Sequence, residues 1–262
     1  MSKNEFDYKT LYGPGDRWGS SKKVEDWFPR DIPQNFTVLP QEHQDYWNDR
    51  PFKYYLNDWG HRCEDIDVNA NNIVFIGCSL TFGTGLPKEQ TWPYLVSKEL
   101  GMREVNLGAP GGSLDTCFRL YNAWQYEIKA PITVLMIPPG KRVEFDDYKR
   151  YIRYGHWSPG LLNSDEVDKF IIKYILDDKP YKTIHDKNIA AINWIAHETN
   201  SSLHIVNSET ALSDYATEDD VWQKQFPVAR DGNHPGPLWH KWVAKHIIQE
   251  INNEKSKTST IP

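Results

Sequence analysis

The sequence predicts an α/β fold in which a parallel sheet carries helices on both faces. Three observations predict it. Short apolar runs, rich in β-branched residues, recur at "NIVFIG" (72–77), "REVNLG" (103–108), "PITVLMIP" (131–138) and "SLHIVN" (202–207). Runs of that length with little polar alternation suit strands buried on both faces. Helical segments separate them, and strands alternating with helices imply a parallel sheet. The chain has 262 residues, enough for one large domain that buries about 75% of its unfolded surface.

The elements follow in order. Residues 1–70 are rich in Pro, Asp, Trp and Tyr, and "GPGDRWGSS" and "FPRDIPQNF" read as turns. Within them "PFKYYLNDWGHR" (51–62) holds one short strand ending at a turn. Disordered tails are poor in aromatics, so residues 1–70 are expected to be an ordered extension or small subdomain wrapped on a main domain at 71–252. After the first strand, "TWPYLVSKELG" (91–101) reads as a helix: Thr91 at its cap, Pro93 in its first turn, Gly101 at its end. "SLDTCFRLYNAWQYEIK" (113–129) is a helix with Ser113 at its cap. A long insertion follows the third strand, then helices near 164–177 and 181–199. "PGPLWHKWVAKHIIQEI" (235–251) is a closing amphipathic helix, and 253–262 a flexible tail.

Composition narrows the function. A formal net charge of −6 gives no reason to expect nucleic-acid binding. No apolar run approaches the ~18 residues of a membrane span, and "MSKNEFDYKTLYGPG" lacks the apolar core of a secretory signal. Three cysteines, Cys63, Cys78 and Cys117, cannot all pair and do not have zinc-site spacing. Reduced thiols in a cytosol-like, cytoplasmic setting are the default expectation, with export by a route other than a secretory signal left open.

In open parallel sheets, ligands bind beyond the carboxyl ends of the strands. "GCSLTFGTG" follows the first strand, "GAPGGS" (108–113) the second and "PPGKRVEF" (138–145) the third, so all three share one sheet edge. "ARDGNHPG" (229–236) leads into the last helix and reaches that edge if it enters from there. A serine hydroxyl is a weak nucleophile that needs a base within reach, and a neutral imidazole near pH 7 suits that task. Ser79 is therefore the candidate nucleophile and His234 its base, with Asp231 fixing the imidazole tautomer. Backbone N–H groups at Ser79 and in the Gly111-Gly112 turn are candidate oxyanion donors. Cys78 points away from the site as a buried, inert thiol. The other histidines make no metal-ligand pattern, so no metal site is expected.

These residues together resemble the SGNH/GDSL hydrolase superfamily. In that family an apolar strand ends in Gly-Asp-Ser-Leu with a nucleophilic serine; "IVFIGCSLTFGTG" matches, with Cys78 where the family has Asp. The second block, Asn-x-Gly-x-x-Gly, is present as "NLGAPG" (106–111), and the resemblance gives Gly111 an oxyanion N–H. The last block, Asp-x-x-His-Pro, is present as "DGNHP", with Asp231 as acid and His234 as base. "NDWGHR" (57–62) is similar to an Asn-x-x-Gly-x-Arg stretch that precedes the hydrolase domain in some members. The resemblance covers about residues 70–252. It implies a three-layer α/β/α, flavodoxin-like sheet of about five strands.

One block departs. The family's Gly-x-Asn-Asp, whose Asn donates to the oxyanion, is replaced by "MIPPGKRVEF". Losing one such donor costs about 10²–10³-fold in rate. Arg142, close in sequence, carries five donors for an oxyanion or an anionic substrate; its bland alternative is an ion pair with Glu144 or Asp146. The resemblance thus implies a serine esterase acting through an acyl-enzyme without metal or organic cofactor. Its substrate would be a small-molecule or carbohydrate ester, with an O-acetyl sugar stacking on Trp92, Tyr121 or Trp157 as one form. Two alternatives stand beside it: a binding or structural protein on the same fold, and an acyltransferase using the same residues.

Overall fold

A computed structural model of the chain describes residues 8–12, 23–28, 30–146, 151–155, 157–158, 165–219 and 226–258. The N-terminal part contains β1 (Lys23–Glu25), α1 (Pro33–Phe36), α2 (Gln41–Asn48) and β2 (Tyr54–Leu56). The main sheet uses β3 (Asn72–Ile76), β4 (Arg103–Asn106), β5 (Ile132–Ile137) and β8 (Ser202–Asn207). Between its strands lie α3 (Ser79–Phe82), α4 (Trp92–Leu100), α5 (Leu114–Ile128), the hairpin β6 (Arg142–Asp146) and β7 (Tyr151–Gly155), α6 (Asp165–Tyr174) and α7 (Asp178–Glu198). After β8 come α8 (Ser208–Asp219) and α9 (Pro237–Thr258).

The sheet runs β4-β3-β5-β8, and every neighbouring pair is parallel. It is the flavodoxin-like order, and it has four strands among the described residues where about five were expected. Successive residues of β3 point to opposite faces, which splits the core in two. Val74 and Ile76 pack with Leu120, Trp124, Ile192 and Ile195 of α5 and α7. Ile73 and Phe75 pack with Trp92, Val96, Trp239 and Val243 of α4 and α9. The result is the three-layer arrangement, with the order reversing at β3 and β5.

Local chemistry explains the boundaries. Ser113 caps α5 in a reciprocal box with Thr116, and Gly101 closes α4 in the left-handed conformation at φ +63°. Thr91 precedes α4, but its hydroxyl donates to the Lys88 carbonyl at 2.8 Å instead of capping the helix. His240 serves there, its Nδ1 accepting from the Trp92 backbone N–H at 3.0 Å. The expected tail from residue 253 is corrected: α9 continues to Thr258, and residues 259–262 lie outside the described ones. His204 also needs correction. Its two ring nitrogens lie 3.4 Å from Glu250 and 3.6 Å from Glu254, a histidine–carboxylate group of metal-ligand type at the amino end of the sheet.

All three cysteines are free and buried. Burial pushes the Cys63 thiol up to about 12 and raises that of Cys117 well above its ordinary value, as buried thiols do. No helix among the described residues is long and apolar enough to cross a membrane.

Two buried histidines set an acid limit on stability. Burial holds His61 and His240 each down to about 3, so both are neutral in the folded chain. An unfolded histidine titrates near 6.5, so the unfolded state binds protons first as pH falls. Folding stability is therefore full above about pH 6.5 and is lost toward the folded value, by at most about 1.4 kcal/mol per pH unit for each histidine. Urea midpoints measured between about pH 7 and 5 should fall, and His240→Gln should flatten the slope.

Candidate active site

Ser79 occupies the first position of α3, directly after the β3 end. Glycine is required just before it. A Cβ on Gly77 would sit 2.1 Å from Thr81 Oγ1 and 3.0 Å from the Met136 carbonyl. At the neighbouring strand end, a Cβ on Gly108 would sit 2.4 Å from the Phe82 nitrogen. These two glycines let α3 press into the strand ends. Cys78 turns into the core, fully buried.

A four-residue helix cannot satisfy its own carbonyls, so neighbours must. Ser79 O accepts from Gly83 N at 2.9 Å. Leu80 O accepts from Trp92 Nε1 at 3.0 Å and Thr81 O from Asn106 Nδ2 at 3.0 Å. Phe82 O accepts from Arg62 Nη1 at 3.1 Å, and the same guanidinium reaches Gly83 O and Leu86 O. Arg62 is 1% exposed and stacks on Tyr54, 4.4 Å from its ring centre. The "NDWGHR" stretch thus has a structural task. Asn57 Oδ1 accepts from the Trp59 and His61 backbones, which bends the chain through Gly60 (φ +80°) and delivers Arg62.

Asp231 and His234 stand on the loop before α9. Asp231 Oδ1 accepts from the backbone N–H groups of Asn233 (3.1 Å) and His234 (3.0 Å), an Asx-type turn that fixes the carboxylate. Asp231 Oδ2 is 2.5 Å from His234 Nδ1, and His234 Nε2 is 2.8 Å from Ser79 Oγ. Burial works against the Asp231 carboxylate, yet the adjacent His234 and these hydrogen bonds hold it below the usual carboxylate range. With Nδ1–H donating to Asp231, Nε2 is free to accept from the serine hydroxyl. The array brings together three residues that the sequence singled out.

The "GAPGG" turn lies alongside. Gly112 N donates to Ala109 O at 2.7 Å, closing a turn with Pro110 second and Gly111 third at φ +72°. That is the pattern of a type II turn, which needs glycine at its third position. Arg153 Nη1 donates to the Pro110 carbonyl at 2.9 Å. In a trans peptide the C=O and the following N–H point in opposite directions. By holding the Pro110 oxygen, Arg153 also fixes the direction of the Gly111 N–H. Sequence reasoning missed Arg153, whose contact crosses 43 residues.

Arg142 is not in either expected ion pair. Glu144 is taken by Arg119 at 2.7 Å and Arg153 at 3.2 Å, which hold its carboxyl below the usual range against burial. The Arg142 guanidinium instead lies over the Trp157 ring, 4.8 Å from its centre. Trp157 borders the glycine turn: a Cβ on Gly111 would be 3.7 Å from its indole. Two of the three aromatics expected to stack on a sugar are corrected, because Trp92 and Tyr121 are 0% exposed in the two cores. The apolar faces of α4 and α5 claim them; Trp157 alone of the three is at the site.

The N-terminal segment braces this loop as well. Arg230, next to Asp231, donates through Nε to Asp31 Oδ2 at 2.8 Å and packs 3.9 Å from the Phe52 ring centre. Tyr54 donates to the same Asp31 oxygen at 2.7 Å and accepts from Gly85 N at 2.7 Å. Gly85 O in turn accepts from Arg230 N at 2.8 Å. The Ser79 and His234 loops are therefore tied together by side chains from residues 31–62. Burial raises the Asp31 carboxyl, with Arg230 pulling the other way.

No protein-family model matches the chain, and no curated protein does. Solved structures similar to it include TesA, with TM-score 0.41 and 14% identity over 67% of this chain and 95% of that one. The psychrotrophic esterase EstA from Pseudoalteromonas sp. has TM-score 0.37 and 15% identity over 71% and 99%. A variant of Axe2, an acetylxylan esterase from Geobacillus stearothermophilus, has TM-score 0.34 and 18% identity over 71% and 95%.

Proposed function

We propose that the chain is a serine-dependent hydrolase of carboxylic esters, of the SGNH/GDSL kind. The observation that carries this reading is the unbroken relay from Ser79 Oγ through His234 to Asp231, at 2.8 and 2.5 Å. Both contacts lie within the reach that proton transfer needs.

The steps follow from the atoms. Ser79 Oγ attacks the ester carbonyl as His234 Nε2 takes its proton. Asp231 stabilises the imidazolium and keeps its orientation. The carbonyl oxygen becomes an oxyanion, received by the backbone N–H groups of Ser79 and Gly111. Collapse breaks the bond to the alcohol oxygen, which leaves with the proton from His234. Water then attacks the acyl-Ser79 with His234 Nε2 taking its proton, the bond from the acyl carbon to Ser79 Oγ breaks as His234 returns that proton to Oγ, and the carboxylic acid departs. Every proton stays on the Ser79–His234 pair or leaves with a product.

The competing reading is a non-catalytic binding protein on the same scaffold, favoured by the absence of an Asn after β5. A fluorophosphonate probe separates the two, because it phosphonylates only an activated serine. Stoichiometric labelling that maps to Ser79 and disappears in His234→Ala is the expected result. An unlabelled wild-type protein would overturn the hydrolase reading.

A further inference from the structure

Arg142 is held in an unusual state. Its Nε is buried without a hydrogen-bond partner among the described residues. No carboxylate of the described residues pairs with it, although its strand neighbour Glu144 carries two arginines. The adjacent Lys141 is already paired with Asp178. Nor does a packing role account for the charge, since an apolar side chain would cover Trp157 without the cost of desolvating a guanidinium. A guanidinium is a planar fork that matches a carboxylate in two parallel hydrogen bonds. One indole therefore connects a cation that pairs with no described carboxylate to the turn that offers the Gly111 N–H, with Arg142 4.8 Å from the ring centre and the Gly111 Cβ position 3.7 Å from its edge.

We propose that Arg142, braced on Trp157 beside the Gly111 turn, is a subsite for a carboxylate carried by the ester substrate. The inference rests on the ester-hydrolase reading for the kind of ligand. It assigns Arg142 to substrate selection instead of to the oxyanion. Either half of the ester can bring the carboxylate, and two substrate pairs distinguish them. On the acyl half, the mono-para-nitrophenyl ester of adipic acid is compared with para-nitrophenyl hexanoate. On the alcohol half, meta-acetoxybenzoate is compared with meta-acetoxybenzamide.

The quantity read is the ratio of kcat/KM for the charged ester to that for its neutral analogue. Wild type is expected to favour the charged member of one pair. Arg142→Ala should lower that ratio on the order of 30-fold, and Arg142→Lys, which keeps charge but loses the fork, by less. An unchanged ratio overturns the proposal, whether because both rates fall together, as for an oxyanion donor, or because neither falls. Thermal midpoints confirm that the variants are folded, and the lysine variant carries the test if the alanine variant is not. Should Ser79 fail to label, the hydrolase reading falls by itself. The subsite is then tested by calorimetric binding of meta-acetoxybenzoate, which must weaken in Arg142→Ala; equal binding overturns it.

Discussion

Replacing Ser79 by alanine is expected to lower kcat by about a million-fold on any ester the wild type turns over. The estimate follows from how the relay divides its labour. In the proposed mechanism, loss of the hydroxyl removes the acyl-enzyme and leaves only substrate binding and the two proposed backbone donors to act. His234→Ala should cost about as much, since the hydroxyl then keeps its proton. The Ser79→Ala/His234→Ala pair should be hardly worse than either single change, because both remove the same step. Asp231→Asn should cost about 10⁴-fold, by presenting the wrong imidazole tautomer to Ser79. Steady-state kinetics with a short-chain para-nitrophenyl ester, with folding verified by circular dichroism, measures all four. A double-variant loss close to the product of the single losses would show that Ser79 and His234 do not act as a unit.

Asp31→Ala should destabilise the fold by about 3–5 kcal/mol, the usual result of stranding a buried charge. Arg230 is only 5% exposed at its side chain and would lose its carboxylate. Tyr54 Oη and the Phe28 N–H would lose their acceptor at the same time. The size of the effect is set by what remains unpaired. Asp31→Leu combined with Arg230→Met should therefore recover the part of the loss that comes from the stranded Arg230 charge, while Tyr54 Oη and the Phe28 N–H still lack the acceptor. Urea unfolding of the three proteins decides this: a double variant less stable than Asp31→Ala would contradict it. Because Arg230 adjoins Asp231, the destabilised single variant should also turn over more slowly.

The sheet was legible because its evidence is local. Each strand of "NIVFIG" type announces itself within about six residues, and a turn glycine closes or closely follows three of the four, at Gly77, Gly108 and Gly140. Topology alone puts the Ser79 and Gly111 stretches on one edge, and the Asp231–His234 stretch joins them on the condition that it enters the last helix from that side. What stayed hidden is what depends on partners far along the chain. Nothing near Glu144 signals that Arg119, from α5, and Arg153 would both claim it, so its pairing with Arg142 was a reasonable but mistaken alternative. Trp92 and Tyr121 failed as sugar platforms for a related reason. A helix facing a sheet buries its aromatics, and composition does not reveal which face each one takes. In residues 1–70 no periodicity stands out, because the segment is shaped by single buried polar anchors such as Asp31 and Arg62 instead of by a repeating apolar face.

The spans bridged at the site bear on when the Ser79–His234–Asp231 array is completed during synthesis. The Ser79–His234 contact joins residues 155 apart, and the Asp31–Arg230 contact joins residues 199 apart. Both close only after the loop before α9 has left the ribosome. Until then β3, β4 and β5 can pair and the serine is in place, but it has no base. The proposed relay is therefore incomplete until that loop emerges, and reactivity at Ser79 should arise in one step when it does.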